Sequence, residues 1–506
     1  MGCGHTKKLP FALDPRPEVP LSPTSPQGLP RVTRLEDFHV RAGRFIQRLP
    51  TPITDRYTRL ETVGKGAEGE VWKAEQVVSK ELRAIKVVAK RERADVEWEA
   101  EVLSSLDHPN IVKVYEFASD EANSYLVEDL CTGGELLRYL QLSGCLGEVE
   151  AAAVMRQILC AVAYCHANDL VHRDVKPENL LMSTPPAGPF VPTLKLVDFG
   201  SCCFLPQPLF CSQRVGSLVY MSPEMVKGEE YDRKTDIWSC GVVLYLLLVG
   251  FPPFTGPRDC DIERKIVRGN VIFPLSDSRD ISKEAKKLVL KMLEKNVSLR
   301  WSAEECLESG WFNSTDLESS YLAPTVQTSL THLGGFSAQE QLKSVFFGFI
   351  AVNFSTKEEL RTMEETFRTL DKDGDGKLTR DELFQALVKA VPHYTAHAFT
   401  DEIMRKVDTG KTGSIAYSQF LMAAADKTTL LSETVLKAAF DTIDLDGSGK
   451  ISVSELKDLM KTQADMSEEV LVQLLRQADD NGDGEIEFEE FVRLMKTAHR
   501  TQRAAM

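Results

Sequence analysis

Four aspartate-rich loops begin at Asp371, Asp408, Asp444 and Asp479, which lie 37, 36 and 35 residues apart. A period of this length marks a repeated supersecondary unit, here helix-loop-helix. In the first loop Asp371, Asp373 and Asp375 stand at positions 1, 3 and 5 of twelve, with Gly376 at 6 and Glu382 at 12, and Lys377 offers its backbone carbonyl at 7. Such a set suits Ca²⁺, a hard cation that takes oxygen ligands and can be held bidentately by the last glutamate. The pattern recurs at 444–455 (Asp444, Asp446, Ser448, Gly449, Lys450, Glu455) and at 479–490 (Asp479, Asn481, Asp483, Gly484, Glu485, Glu490). An Asx-turn accounts for one such loop, not for three at one period. Loop 408–419 departs from it, with Gly410 at position 3, Thr412 at 5 and Gln419 at 12. It is expected to hold no Ca²⁺ and to serve as a structural partner. Apolar residues at position 8 (Leu378, Ile415, Ile451, Ile486) can pair the loops two by two as short strands. About three Ca²⁺ sites are therefore predicted.

The 506 residues suffice for about three domains. The formal net charge of −15 argues against a general nucleic-acid-binding role, and from Ser355 onward 29 Asp+Glu face 20 Lys+Arg, which concentrates the acidity where the loops lie. Eleven cysteines run from Cys3 to Cys306 without a paired C-x-x-C pattern, as in a reduced, cytosolic chain. The most apolar stretch, Ile237 to Val249, has only 13 residues before Pro252 and Pro253 and reads as a buried helix.

Ahead of the repeats, Gly64, Gly66, Gly69 and Val71 form G-x-G-x-x-G-x-V, whose small residues let backbone amides approach triphosphate oxygens. Alone, the motif could equally be a dinucleotide-binding turn. The residues downstream decide between the two. Lys86 in Ala84-Ile85-Lys86 can hold the α- and β-phosphates, and Glu99, with Glu101 as fallback, has the register of its helix partner. His172 to Asn179 then supply a catalytic loop in which Asp174 can accept a hydroxyl proton and Asn179 can ligate Mg²⁺. Asp198 of Asp198-Phe199-Gly200 is the anionic Mg²⁺ ligand, and Glu224 and Arg300 are expected to form a buried ion pair.

Residues 57–312 thus resemble a eukaryotic protein kinase of the calmodulin-dependent group. The repeats resemble calmodulin, and the two together resemble the calcium-dependent protein kinases of plants and apicomplexan parasites. The resemblance implies an α+β bilobal protein-kinase fold followed by an all-α tandem EF-hand (calmodulin-like) domain. It also implies a Ca²⁺-activated serine/threonine kinase that uses Mg²⁺ with ATP, with Lys86, Glu99, Asp174, Asn179 and Asp198 as the catalytic set. The alternative, a catalytically silent Ca²⁺-responsive scaffold, would need one of these replaced. The nucleotide pocket would include Val71, Glu128 and Glu135. Glu128 falls at the gatekeeper position, where the family usually has an apolar residue and where an unpaired charge is costly. Glu135 and Glu178 match positions that attract an arginine upstream of the phosphorylated residue, so basic protein substrates are expected. The activation segment, Asp198 to Glu224, has no threonine, and its Leu205, Leu209 and Phe210 are apolar, which makes switching by phosphorylation there doubtful although Ser212 and Ser217 remain.

The chain accordingly divides into a flexible proline-rich tether at 1–55, the kinase domain at 56–312, an autoinhibitory or junction helical linker at 313–354, and the calmodulin-like domain at 355–500. In the linker Leu342, Val345, Phe346, Phe349 and Ile350 have the spacing of one apolar helix face, suited to a helix-in-groove contact between kinase and sensor. No Lys or Arg lies between Trp301 and Leu342, so a basic pseudosubstrate is unlike this segment. The first residues, MGCGHT, fit myristoylation at Gly2 with palmitoylation at Cys3, hence a peripheral attachment to the cytoplasmic face of a membrane.

Overall fold

The computed structural model describes residues 47–496 apart from 50–51, 67–68, 91–95, 187–192, 206–212, 274–280, 316–323, 336–340, 461–466 and positions 390, 392 and 409. Gly2, Cys3, Leu209, Phe210 and Ser212 lie outside the described residues.

The small lobe is built on a six-stranded sheet: β1 (Gln47–Arg48), β2 (Tyr57–Gly66), β3 (Gly69–Gln76), β4 (Leu82–Ala89), β5 (Val114–Ser119) and β6 (Asn123–Asp129), in the order β1-β5-β6-β4-β3-β2. β1 runs parallel to β5 and α1 (Ile53–Arg56) follows it, so the last residues of the segment expected to be a tether are built into the lobe. Composition averaged over many prolines hides the local reason: Leu49 and Ile53 bury apolar side chains, and β1 finds the free edge of β5.

Strand alternation assigns the two faces of this sheet. Val71, Ala84, Lys86, Leu126 and Glu128 share one face through the pairs Val71–Lys86, Lys86–Leu126 and Ala84–Glu128. Ile85, Val87, Tyr125 and Val127 take the other and join one continuous apolar core with the linker and the repeats. α2 (Val96–Ser105) crosses the lobe, and the large lobe follows with α3 (Leu136–Ser143) and α4 (Glu148–Ala167). The apolar stretch at 237–249 lies within the helix Lys234–Val249, buried on every side and stopped by Gly250 at φ 91°. Among the described residues no helix is long and apolar enough to cross a membrane.

The repeats form helix pairs around each loop. Strands Lys377–Thr379 and Ser414–Ala416 join the first two loops with Leu378 opposite Ile415, and Lys450–Ile451 joins Ile486–Glu487 with Ile451 opposite Ile486. The linker contains two helices, Pro324–Gly335 and Gln341–Phe354. The second is wrapped rather than laid on one face: Phe347, Ala351 and Val352 are buried along with Leu342, Val345, Phe346, Phe349 and Ile350. The single-face expectation fails because helices of both halves of the repeat region close on it, among them Tyr417–Ala424, Glu433–Ile443 and Phe488–Lys496. Phe346 meets Phe491 edge to face, with ring centroids 5.0 Å apart.

Candidate active site and calcium loops

Lys86 projects from the centre of β4 into the cleft, where its Nζ lies 2.8 Å from Glu99 Oε2 on α2 and 3.1 Å from Asp198 Oδ1. Burial works against the ammonium, but Glu99, Asp198 and Glu128 outweigh it and hold Lys86 well above its ordinary value. Glu99 Oε1 also accepts a 3.0 Å bond from the Phe199 amide, so one carboxylate ties α2 to both β4 and the segment after Asp198. Glu101, the fallback, is exposed.

The second half of the site hangs on Asp236, buried at the start of its helix, which accepts from the backbone amides of His172 (2.9 Å) and Arg173 (2.8 Å). The loop thus fixed presents Asp174, whose Oδ1 accepts from Ser217 N at 3.1 Å and whose Oδ2 accepts from Lys176 Nζ at 2.6 Å and Asn179 Nδ2 at 3.1 Å. Asn179 spends its amide nitrogen on Asp174, which leaves its carbonyl oxygen for a cation beside Asp198. Arg173 and Asp198 adopt positive φ, 69° and 64°, the kind of backbone conformation that non-glycine residues keep when surrounding contacts impose it. Arg173 donates to the carbonyls of Ser201 at 2.5 Å and Cys202 at 3.3 Å, so it ties the catalytic loop to the start of the activation segment. Arg300 grips Glu224 with two bonds of 2.6 and 3.0 Å, both residues buried.

The phosphate-side turn needs glycine on steric grounds. A Cβ at Gly69, φ 148°, would lie 2.0 Å from the Val87 carbonyl oxygen. Deeper in the cleft Glu128 stands on β6 opposite Ala84, on the same face as Lys86. Burial above all, then Glu99, pushes its carboxyl up to about 8 against the pull of Lys86. A gatekeeper acid is therefore tolerated in its neutral form near pH 7. Glu135 is exposed at the start of α3, whereas Glu178 Oε2 is buried and has no hydrogen-bond partner among the described residues.

In the first loop Asp371, Asp373 and Asp375 bring carboxylate oxygens within 4.8 Å of one another, and in the third Asp444, Asp446 and Glu455 do the same. Burial, then Asp375 and Glu382, pushes Asp371 up to about 8, a repulsion that a bound dication relieves. Glu382 accepts from the amides of Lys372 (2.8 Å) and Thr379 (2.9 Å), and so closes the loop while capping the next helix. These all-oxygen sets fit Ca²⁺. In the fourth loop Asp483 is taken by Lys450, and Glu490 accepts from the amides of Asp480 and Asn481. The second loop closes on itself, with Thr412 and Gly413 amides donating to Asp408 and Gln419 accepting from Ala416 N.

A family model for the protein kinase domain matches residues 57–312, and one for an EF-hand domain pair matches 360–424 and 433–496. Calcium-dependent protein kinase 4 of Plasmodium falciparum and that of Plasmodium berghei are each 35% identical to this chain over 458 residues, covering 87% of it and 86% of the relative. The chain belongs to the calcium-dependent protein kinase family. Calcium-dependent protein kinase 5 of Plasmodium falciparum is a further relative, 32% identical over 433 residues, which cover 84% of this chain and 74% of the relative. The kinase is accordingly an ATP-dependent protein serine/threonine kinase regulated by its own EF-hands, and nothing supports the silent-scaffold alternative.

Some of the kinase's polar contacts carry no sequence signature. Lys195 and Glu364, 169 positions apart, meet at 2.7 Å, and nothing local marks either one. Lys450 could be found as a position-7 lysine, but its reach to the neighbouring loop depends on the strand pairing.

Proposed function

We propose that the kinase transfers the γ-phosphoryl group of Mg·ATP to serine or threonine hydroxyls of proteins when Ca²⁺ loads its first, third and fourth loops. Asp174 takes the hydroxyl proton as the new O–P bond forms and ADP leaves. Lys86, held by Glu99, positions the α- and β-phosphates under the turn of Gly64, Gly66 and Gly69. Asp198 and Asn179 would hold Mg²⁺, which supplies charge neutralisation on the phosphates. Supporting this most directly is the convergence of Glu99 and Asp198 on Lys86 while Asp174 is pinned by Ser217 and Asn179.

Glu178 Oε2, with no hydrogen-bond partner among the described residues, supports recognition of a basic residue upstream of the target hydroxyl, with Glu135 as its companion. The wrapped helix Gln341–Phe354 supports a sensor that works by capturing its own linker. MGCGHT supports acylation at Gly2 and Cys3 and a peripheral membrane location, two chains being needed for stable anchoring; Gly2→Ala should move the expressed protein to the soluble fraction.

The deciding experiment gives purified full-length protein Mg·ATP and a serine peptide with upstream arginine, with Ca²⁺ or with chelator. Phosphopeptide formed in Ca²⁺ and largely lost in chelator is the expected result. Equal rates in both, or none in either, would overturn the reading.

A further inference from the structure

The first hand of the sensor lies against the kinase domain behind the cleft, and the contact is polar at its centre. Glu364, on the helix Lys357–Leu370, places Oε1 2.7 Å from Lys195 Nζ and accepts a 3.1 Å bond from the Tyr417 hydroxyl. Lys195 is 5% exposed. It sits three residues before Asp198, and its Nζ is also 3.8 Å from Asp129 Oδ2, at the end of β6 where the chain leaves the small lobe. Asp129 is fixed in turn by the Tyr115 hydroxyl (2.7 Å) and the Lys113 amide (3.2 Å). Around this pair the fit is close: Arg368 donates to Thr193 Oγ1 at 3.0 Å and the Ser418 amide to Asp107 Oδ2 at 3.1 Å. A Cβ on Gly374 would lie 2.2 Å from Cys160 Sγ.

An ammonium this deeply buried is tolerable only when paired. Burial disfavours its charge, yet Glu364 first and Asp129 second more than compensate. Withdrawing the sensor removes the stronger partner and returns Lys195 to water. Docking therefore creates a buried chain Glu364–Lys195–Asp129 that ends at the segment joining the lobes, and Lys195's own strand, Leu194–Leu196, stops two residues before Asp198.

We propose that Lys195 and Glu364 are a positioning pair, through which the docked first hand of the sensor sets the nucleotide site. The proposal rests on the Ca²⁺-controlled kinase reading. Because docking and Ca²⁺ loading share one equilibrium, breaking the pair must also weaken Ca²⁺ binding to the sensor.

The test uses full-length protein carrying Glu364→Gln, Lys195→Met, Lys195→Arg, or Glu364→Gln with Lys195→Met, with folding checked by thermal melts in chelator. Ca²⁺ titration of intrinsic fluorescence reads the linkage without reference to catalysis, and KM for ATP and kcat are measured separately. Either neutralising variant should raise the Ca²⁺ midpoint and KM for ATP by about tenfold, while the double variant costs no more than the worse single, since the only charge it leaves at the junction is Asp129, which the Tyr115 hydroxyl and the Lys113 amide still hold. Lys195→Arg should stay near wild type. Wild-type midpoints and KM in both single variants, or effects that multiply in the double, would overturn the pair. A wild-type protein that binds Ca²⁺ but transfers no phosphate would instead defeat the kinase reading, and the fluorescence midpoints would still decide whether Glu364 and Lys195 are coupled.

Discussion

Lys450 of the third loop reaches into the fourth, its Nζ 2.5 Å from Asp483 Oδ2 and 3.1 Å from Glu487 Oε1. The ammonium occupies a carboxylate that Ca²⁺ needs at position 5, so the cation must displace it to bind. Lys450→Met should therefore raise Ca²⁺ affinity of the fourth loop several-fold, although it removes three ion pairs with Asp483, Glu485 and Glu487. Isothermal titration of the full chain, with Glu455→Gln to silence the third loop, isolates the effect. An unchanged or weaker fourth site would show that the lysine orders the loop rather than competing with the ion.

Glu128 makes the cleft sensitive to pH. Its carboxyl, ordinarily at 4.5, is pushed up to about 8, so between those values the native protein holds a proton that the unfolded chain releases. Stability contributed by that proton is present at low pH and lost as pH rises through the native value. Relative to Glu128→Gln, which cannot ionise, the wild type should lose on the order of 1–2 kcal/mol between about pH 6 and 8.5, a discounted figure because the side chain is only half-buried. Paired thermal melts across that range check it. A difference that stays constant with pH would mean that Glu128 keeps its charge throughout.

Much of this architecture is legible because each motif must satisfy local chemistry. Glycine at 69 answers to a carbonyl 2.0 Å from its missing Cβ, and alternation in β4 puts Lys86 on the cleft face and Ile85 on the other. The position-8 residues foretell that the loops pair two by two, and Leu378 meets Ile415 while Ile451 meets Ile486. What stays hidden depends on tertiary placement. The apolar character of Ile85, Val87, Tyr125 and Val127 says that a face is covered, but not that the sensor and linker join the same core. A periodic reading of Gln341–Phe354 finds one face and cannot tell that two sets of helices enclose it.

Asp174 divides chemistry from nucleotide binding. Its oxygens are held by Ser217 N, Lys176 Nζ and Asn179 Nδ2, while Lys86 and Glu99 form a separate cluster with Asp198. Asp174→Asn should lower kcat by about 10² to 10⁴ and leave ATP affinity nearly unchanged. Rapid-mix phosphoryl transfer and equilibrium binding of a fluorescent ATP analogue measure the two quantities. Turnover within about tenfold of wild type would remove Asp174 from the role of base.

The linker helix should set Ca²⁺ affinity and Ca²⁺ control together. Phe346 is fully buried against Phe491, and Phe349 is buried on the same helix, whose Asn353 carbonyl accepts a 3.2 Å bond from Arg83 on the sheet's outer face. Met363, Met422, Met460 and Met495 lie in the same core, so both halves of the sensor grip one ligand helix. A ligand that favours the Ca²⁺-loaded sensor must raise Ca²⁺ affinity, and removing it must lower that affinity by the same factor. Phe346→Ser with Phe349→Ser exposes polar groups to that core and costs several kcal/mol, enough to release the helix. Half-saturation should move to higher Ca²⁺, and phosphorylation should no longer follow the cation. Phe346→Leu, which trims the contact without a buried hydroxyl, should fall between wild type and the double variant on both axes. If Ca²⁺ midpoint and activation remain at wild-type values in both the double variant and Phe346→Leu, the helix is a spacer and the sensor controls the kinase through some other contact.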